Sequence, residues 1–300
     1  MFYIQFLQFP KKQVISSSPF VPFTNPHSLQ KMNTTAAQFP YPWQRCKIVH
    51  LVRMYIHTDC NCLVKGLLIK PVLFLQVRHG QAMHNVEGDK NREALLSPHL
   101  FDAQLSPLGL QQVDKLRKDV HASGILKRIE LVITSPLYRT MQTAFGVFGN
   151  PESHDGKYSA TSAVNCPQIM AVELCRDRLG VRPCDMRRRM DGEDDSMWNP
   201  DVREPEEEIA ARMVLFMKWL WTRPEQEIVI VSHGIILQHI LYILGNDCHQ
   251  TVRTDLCKRF GNCELRSVVI VDKSLMGADS QVCSPRHVAK EKVLREQVSN

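Results

Sequence analysis

The first 58 residues of this 300-residue chain contain no Asp and no Glu, and no Arg occurs before Arg45. An acid-free stretch with several Ser and Thr has the composition of an organellar transit peptide, but transit peptides are rich in arginine. Residues 1–44 therefore read as a disordered extension, with a plastid-targeting role as the alternative. Long hydrophobic runs are missing too: the apolar stretch 63–77 is short and is interrupted by Lys65, Lys70 and Pro71, which excludes a membrane-spanning helix there. The ten cysteines lack paired metal-ligand spacing. Cys60 and Cys62 stand too close for a usual zinc knuckle, and Cys248, Cys257 and Cys263 are irregularly placed. With no secretory signal, reduced thiols in a cytoplasmic setting are expected. No basic helix and no interleaving of basic with aromatic residues occurs, so neither nucleic acid nor membrane is an expected partner.

What is present points to one enzyme domain. A hydrophobic content of 44% in 300 residues is enough to bury a sizeable core, and a net charge of +6 suits an anionic substrate. Short, nearly continuous apolar runs at 71–77, 131–133, 169–172 and 227–231 read as buried strands, with a late one at 267–271. Between them lie helix signals. Ser106-Pro107 opens a helix whose Leu108, Val113, Leu116 and Val120 can face a sheet, with Gly124 beyond its end. Ser135-Pro136 is an N-cap and first helical position ahead of Arg139. Glu204-Pro205 precedes Ile209, Met213, Phe216, Met217 and Leu220 at helical spacing. Residues 235–244 are apolar nearly all round, and His239 among them reads as a core histidine. The expected fold is α/β, a doubly wound, mostly parallel sheet with helices on both faces.

Two histidines follow strand ends, His79 after Arg78 and His233 after Ser232, where open α/β sheets bind ligands. An imidazole held through one nitrogen can attack phosphorus through the other, and phosphohistidine splits one difficult displacement into two easier ones. His79 is the candidate nucleophile. Transfer of a phosphoryl group spreads charge over three oxygens and calls for fixed donors around them. Arg78, His233 and Arg139, the last in the first turn of a helix, are the candidates for that work.

Taken together, Arg78-His79-Gly80 with Asn85, residues 102–109, Thr134-Ser135-Pro136-Leu137-Tyr138-Arg139-Thr140, Glu173-Leu174-Cys175-Arg176, Ser232-His233-Gly234 and residues 245–249 resemble the histidine phosphatase superfamily, and within it the plant-type phosphoglycerate mutase-like proteins. The resemblance covers about residues 45–273 and leaves 274–300 as a polar tail. It implies His79 as the phosphorylated residue, Arg78, Asn85 and Arg139 as phosphate ligands with His233, an acidic proton donor, a small phosphorylated substrate, and neither cofactor nor metal.

The proton donor is the open role. Glu173 ends an apolar stretch and is preferred, with Asp177 as competitor, because the frame in which relatives carry their Glu reads Leu174-Cys175-Arg176-Asp177-Arg178-Leu179-Gly180 here and puts Arg176 in that place. In the alternative reading Glu173 merely pairs with the arginines around it. Hydrolysis is expected over mutase chemistry, since residues 81–85 lack the Glu and Trp-Asn of true mutases. The basic run 187–189 reads as a solvated loop face and, alternatively, as a clamp for a second phosphate. Two irregularities mark the chain. Lys47-Ile48-Val49-His50-Leu51-Val52-Arg53 duplicates the strand-then-Arg pattern of 71–78, so 54–78 reads as an insertion. The link between Arg189 and Trp198 is shorter than in relatives of this type.

Overall fold

The computed structural model describes residues 46–53, 72–149, 166–189, 194–245 and 258–272, with Thr254 and Leu256. The expected extension 1–44, the tail 274–300, residues 54–71 of the expected insertion, the motif residues 246–249 and residues 191–193 lie outside them.

The sheet is built from β1 (Cys46–Arg53), β2 (Val72–Arg78), β3 (Leu131–Thr134), β4 (Gln168–Ala171), β5 (Glu227–Ser232) and β6 (Leu265–Asp272), in the spatial order β1-β6-β2-β5-β3-β4. β2, β5, β3 and β4 run parallel, while β6 is antiparallel to β2 and β1 antiparallel to β6. Thus the two similar runs take different places. Val72–Arg78, the end of the expected insertion, fills the centre of the sheet, and Cys46–Arg53 lies at its edge.

The helices are α1 (Met83–Lys90), α2 (Pro107–Ala122), α3 (Tyr138–Phe148), α4 (Glu206–Leu220) and α5 (Gly234–Gly245). Strand residues alternate between two cores. Phe74, Leu131, Ile133, Ile228 and Ile230 pack with α4 and α5, while Leu73, Leu75, Val77, Val132, Val229 and Val231 pack with α2 and α3. Both faces are therefore covered, which is why these strands read as continuous apolar runs. All five stripe residues of α4, Ile209, Met213, Phe216, Met217 and Leu220, are buried, and each such side chain contributes about 1.5–3 kcal/mol by leaving water.

The helix starts follow local chemistry with one instructive exception. In α2, Ser106 Oγ accepts from Gly109 N at 3.0 Å with Pro107 at the first position, and Gly124 takes φ 71° just past the end. Leu108, expected toward the sheet, is 49% exposed instead, because it leads the first turn on the outer face. The expected cap of α3 by Ser135 does not form. The helix starts at Tyr138, whose amide donates to Asp102 Oδ1 at 2.8 Å. Asp102 thus satisfies an orphan helix amide from a distant segment, and Ser135 is left for the site. Among the described residues no helix is long and apolar enough to cross a membrane.

Candidate active site

The carboxyl ends of β2 and β5 open on one cleft of about 730 Å³, lined among others by Arg78, His79, His84, Asn85, Asp177 and Gly234. Backbone bonds set the register of its chemistry. His79 N donates to Ser232 O at 3.0 Å and Ser135 N to Val231 O at 3.1 Å, so the residues that follow three strands emerge side by side.

His79 is 2% exposed. Its Nδ1 lies 2.7 Å from Gly80 O, and since a carbonyl only accepts, Nδ1 carries the proton and Nε2 keeps its lone pair. Burial first, then Arg139, His233 and Arg78, hold the ring well below the usual histidine pKa, so it is neutral and nucleophilic at pH 7. The chain leaves His79 through a tight passage: a Cβ on Gly80 would meet Gly109 O of α2 at 2.9 Å, and Gly80 N donates to Thr143 Oγ1 at 3.1 Å. This packing fixes the ring's position.

His233 lies with its ring centroid 5.2 Å from that of His79. Its Nε2 meets Ser135 Oγ at 2.9 Å, and its Nδ1 is 3.3 Å from Asp177 Oδ2, a close approach without the alignment of a hydrogen bond. Burial, followed by Arg139 and His84, also keeps this ring well below the usual range. Arg78 donates from Nη1 to Phe260 O at 2.7 Å, while its buried Nε has no partner. Burial lowers its pKa from the ordinary arginine value, yet a guanidinium stays charged at any working pH.

Arg139, expected as a phosphate ligand, is fully buried and does not line the cleft. Its Nη1 donates to Cys184 O, and its Nη2 lies 3.0 Å from both Asp177 Oδ2 and Asp185 Oδ1. Both terminal nitrogens are thus engaged by protein, and Arg139 acts on the imidazoles of His79, His84 and His233 as a field. Asn85 Oδ1 accepts from Ala82 N at 3.0 Å, and its Nδ2 lies 3.0 Å from His84 Nε2.

Of the cleft's carboxylates, Glu93, Asp177 and Asp185, it is Asp177 that approaches His233. Burial alone would raise its pKa, but Arg139, the Arg178 amide, His79 and His84 outweigh that and hold it below the ordinary range. Glu173, expected as the proton donor, is not brought to His79. It sits in the turn Glu173–Cys175, bonded to Arg187 Nε at 2.6 Å and Arg176 Nη1 at 3.2 Å, as the alternative reading of the sequence has it. Nor does the run 187–189 form a free clamp: Arg187 pairs with Glu173, Arg188 with Asp102, and Arg189 with Asp194.

A dense network positions the turn that carries Asp177. Arg212 of α4 donates to the carbonyls of Leu174 and Arg176, each at 2.8 Å, and to that of Asp177 at 3.2 Å, while pairing with both oxygens of Glu204. Ser232 Oγ adds a bond to Cys175 O at 2.7 Å. Asp195 draws in Arg176 and the amides of Arg187, Met197 and Trp198. Sequence reasoning missed His84 as a member of the cleft and Ser135 as the partner of His233. The signal for His84 was its place beside Asn85, inside the motif that follows His79.

Residues 74–152 match the family model of the histidine phosphatase superfamily (branch 1). The chain is 43% identical to phosphoglycerate mutase-like protein 1 of Arabidopsis thaliana, over 84% of this chain and 90% of that one. It is 40% identical to a second phosphoglycerate mutase-like protein of Arabidopsis thaliana, over 80% and 90%. Among solved structures, a mycobacterial glucosyl-3-phosphoglycerate phosphatase aligns with 18% identity over 65% of this chain and 92% of that one, at a TM-score of 0.40. The chain belongs to the phosphoglycerate mutase-like proteins of the histidine phosphatase superfamily.

Proposed function

We propose that this chain hydrolyses small phosphate monoesters, sugar phosphates among them, through a phosphohistidine intermediate and without a metal. The observation that carries the reading is the neutral His79 ring with Nδ1 tied to Gly80 O and Nε2 free. Nε2 attacks phosphorus as the bond to the leaving oxygen breaks, and Asp177 gives that oxygen its proton. Water then attacks the phosphohistidine, its proton passes to Asp177, and the Nε2–phosphorus bond breaks to release phosphate. Arg78 and His233 flank the transferring group, and the buried charge of Arg139 stabilises it through space. Entry of an anionic phosphoryl group into the cleft beside His79 raises the Asp177 pKa by repulsion and so arms it as an acid. Asp177 takes this role from Glu173 because it alone of the two faces the cleft.

One observation favours a mutase-type second reading, in which another hydroxyl replaces water. Arg92, Arg182 and Arg259 line the same cleft, and the described residues offer their guanidinium groups no partner. The test is release of inorganic phosphate from p-nitrophenyl phosphate and from an alkyl monoester with EDTA present, by the parent chain and by His79→Ala. Activity that survives chelation and vanishes in the variant supports the proposal. Equal activity in the variant overturns it, and turnover that needs a phosphorylated acceptor shifts it to the mutase reading.

A further inference from the structure

His84 is the third imidazole of the cleft, and the reaction above leaves it without a task. It is the second residue of α1 and the one buried residue of that helix. Its ring centroid lies 5.7 Å from that of His79, it is 9% exposed, and it lines the same cleft. An apolar side chain would anchor a short helix better than an imidazole, so packing alone does not account for it.

The hydrogen bonds around it fix where its proton sits. Ala82 N donates to Asn85 Oδ1, which orients the carboxamide with Nδ2 as the donor toward His84 Nε2. Nε2 therefore accepts, and in a neutral ring the proton is on Nδ1. The ring is neutral because burial, then Arg139 and His79, keep its pKa well below the usual value. Nδ1 has no partner in the structure. A buried donor left without an acceptor is unfavourable, so a ligand acceptor at this place would recover that cost.

We propose that His84 Nδ1–H is a substrate-binding donor, which takes an oxygen of the phosphoryl group as that group passes from the leaving oxygen to His79 Nε2. The assignment rests on the phosphatase reading. It identifies the ligand as a phosphorus oxyanion, or the vanadate that mimics its transition state. It also explains why Asn85 matters at one remove: by occupying Nε2, Asn85 keeps the hydrogen on the other nitrogen.

The test uses three variants and two readouts, kcat/KM for p-nitrophenyl phosphate and inhibition by vanadate. His84→Phe is expected to lose about 100-fold in kcat/KM and to weaken vanadate inhibition by a similar factor, the scale for removing one oxyanion donor. His84→Asn, whose amide nitrogen stands near the Nδ1 position, retains activity within about tenfold, and His84→Gln, which places its amide near Nε2, does not. A His84→Phe protein that folds and stays within about threefold on both readouts overturns the assignment. So does His84→Gln matching or exceeding His84→Asn, a comparison that holds even if the Phe variant does not fold. An inactive parent chain that also ignores vanadate sinks the phosphatase reading itself, and this assignment with it.

Discussion

Replacing Asp177 by Asn removes proton donation while keeping the size and shape of that side chain. The carboxylate bonds Arg139 at 3.0 Å and lies 3.3 Å from His233, so the amide variant loses an ion pair as well as an acid. Arg139 keeps Asp185 and Cys184 O, which limits the loss of stability to less than the ~3–5 kcal/mol of a stranded buried charge. The catalytic effect is larger and depends on the substrate. A positioned general acid contributes about 10²–10⁴-fold, or about 2.7–5.4 kcal/mol of barrier, when the leaving group is an alkoxide. A nitrophenolate leaves without a proton and needs little of this. Steady-state kinetics on glycerol phosphate and p-nitrophenyl phosphate should therefore show a loss of about 10²–10⁴ on the first and under about tenfold on the second. Equal losses on both substrates, or the same leaving-group dependence in Glu173→Gln, would refute the reasoning.

Two further perturbations follow from the same geometry. His79, His84 and His233 all have folded pKa values depressed below their unfolded ones, chiefly by burial, so below about pH 6.5 the unfolded chain binds more protons. Their contribution is complete above that pH and falls as the pH drops from it, by up to ~1.4 kcal/mol per pH unit for each ring. Denaturant unfolding at pH 7.5 and pH 5.5 checks this, and His84→Phe should flatten the slope; a flat parent profile would contradict it. Arg212→Met strands buried Glu204 and three carbonyls, and should cost about 3–5 kcal/mol, read as a lower denaturation midpoint, whereas the double variant with Glu204→Met loses less.

The strands were readable because residues such as Val132 and Ile133 are buried on opposite faces, which leaves an apolar run that no amphipathic helix produces. The position of both histidines at strand ends was readable for a similar reason, since His79 and His233 each stand one step past such a run. Long-range partners were not readable. Ser135 is a good N-cap in isolation, but Asp102, from a segment more than 30 residues earlier, takes the helix amide and frees Ser135 for His233. Arg139 was placed correctly in the first turn of its helix, yet its occupation by Asp177, Cys184 and Asp185 comes from residues about 40 positions away. Glu173 is the right residue type at the right strand end. The short turn that follows β4 buries it against Arg176 and Arg187 and carries Asp177 onward to the cleft.

The turn before β6 has a consequence for the order in which this protein is made. Phe260 O receives Arg78, Glu264 O receives the Arg78 amide, and His79 O accepts from both Cys263 N and Asn262 Nδ2. These contacts join positions more than 180 residues apart, and closing so long a loop is entropically slow. On the ribosome, β2 and His79 emerge early and wait while the helices of both layers are synthesised. The clasp that fixes His79 becomes available only after residue 264 has left the exit tunnel, so the nascent chain carries this histidine unclasped for most of its synthesis.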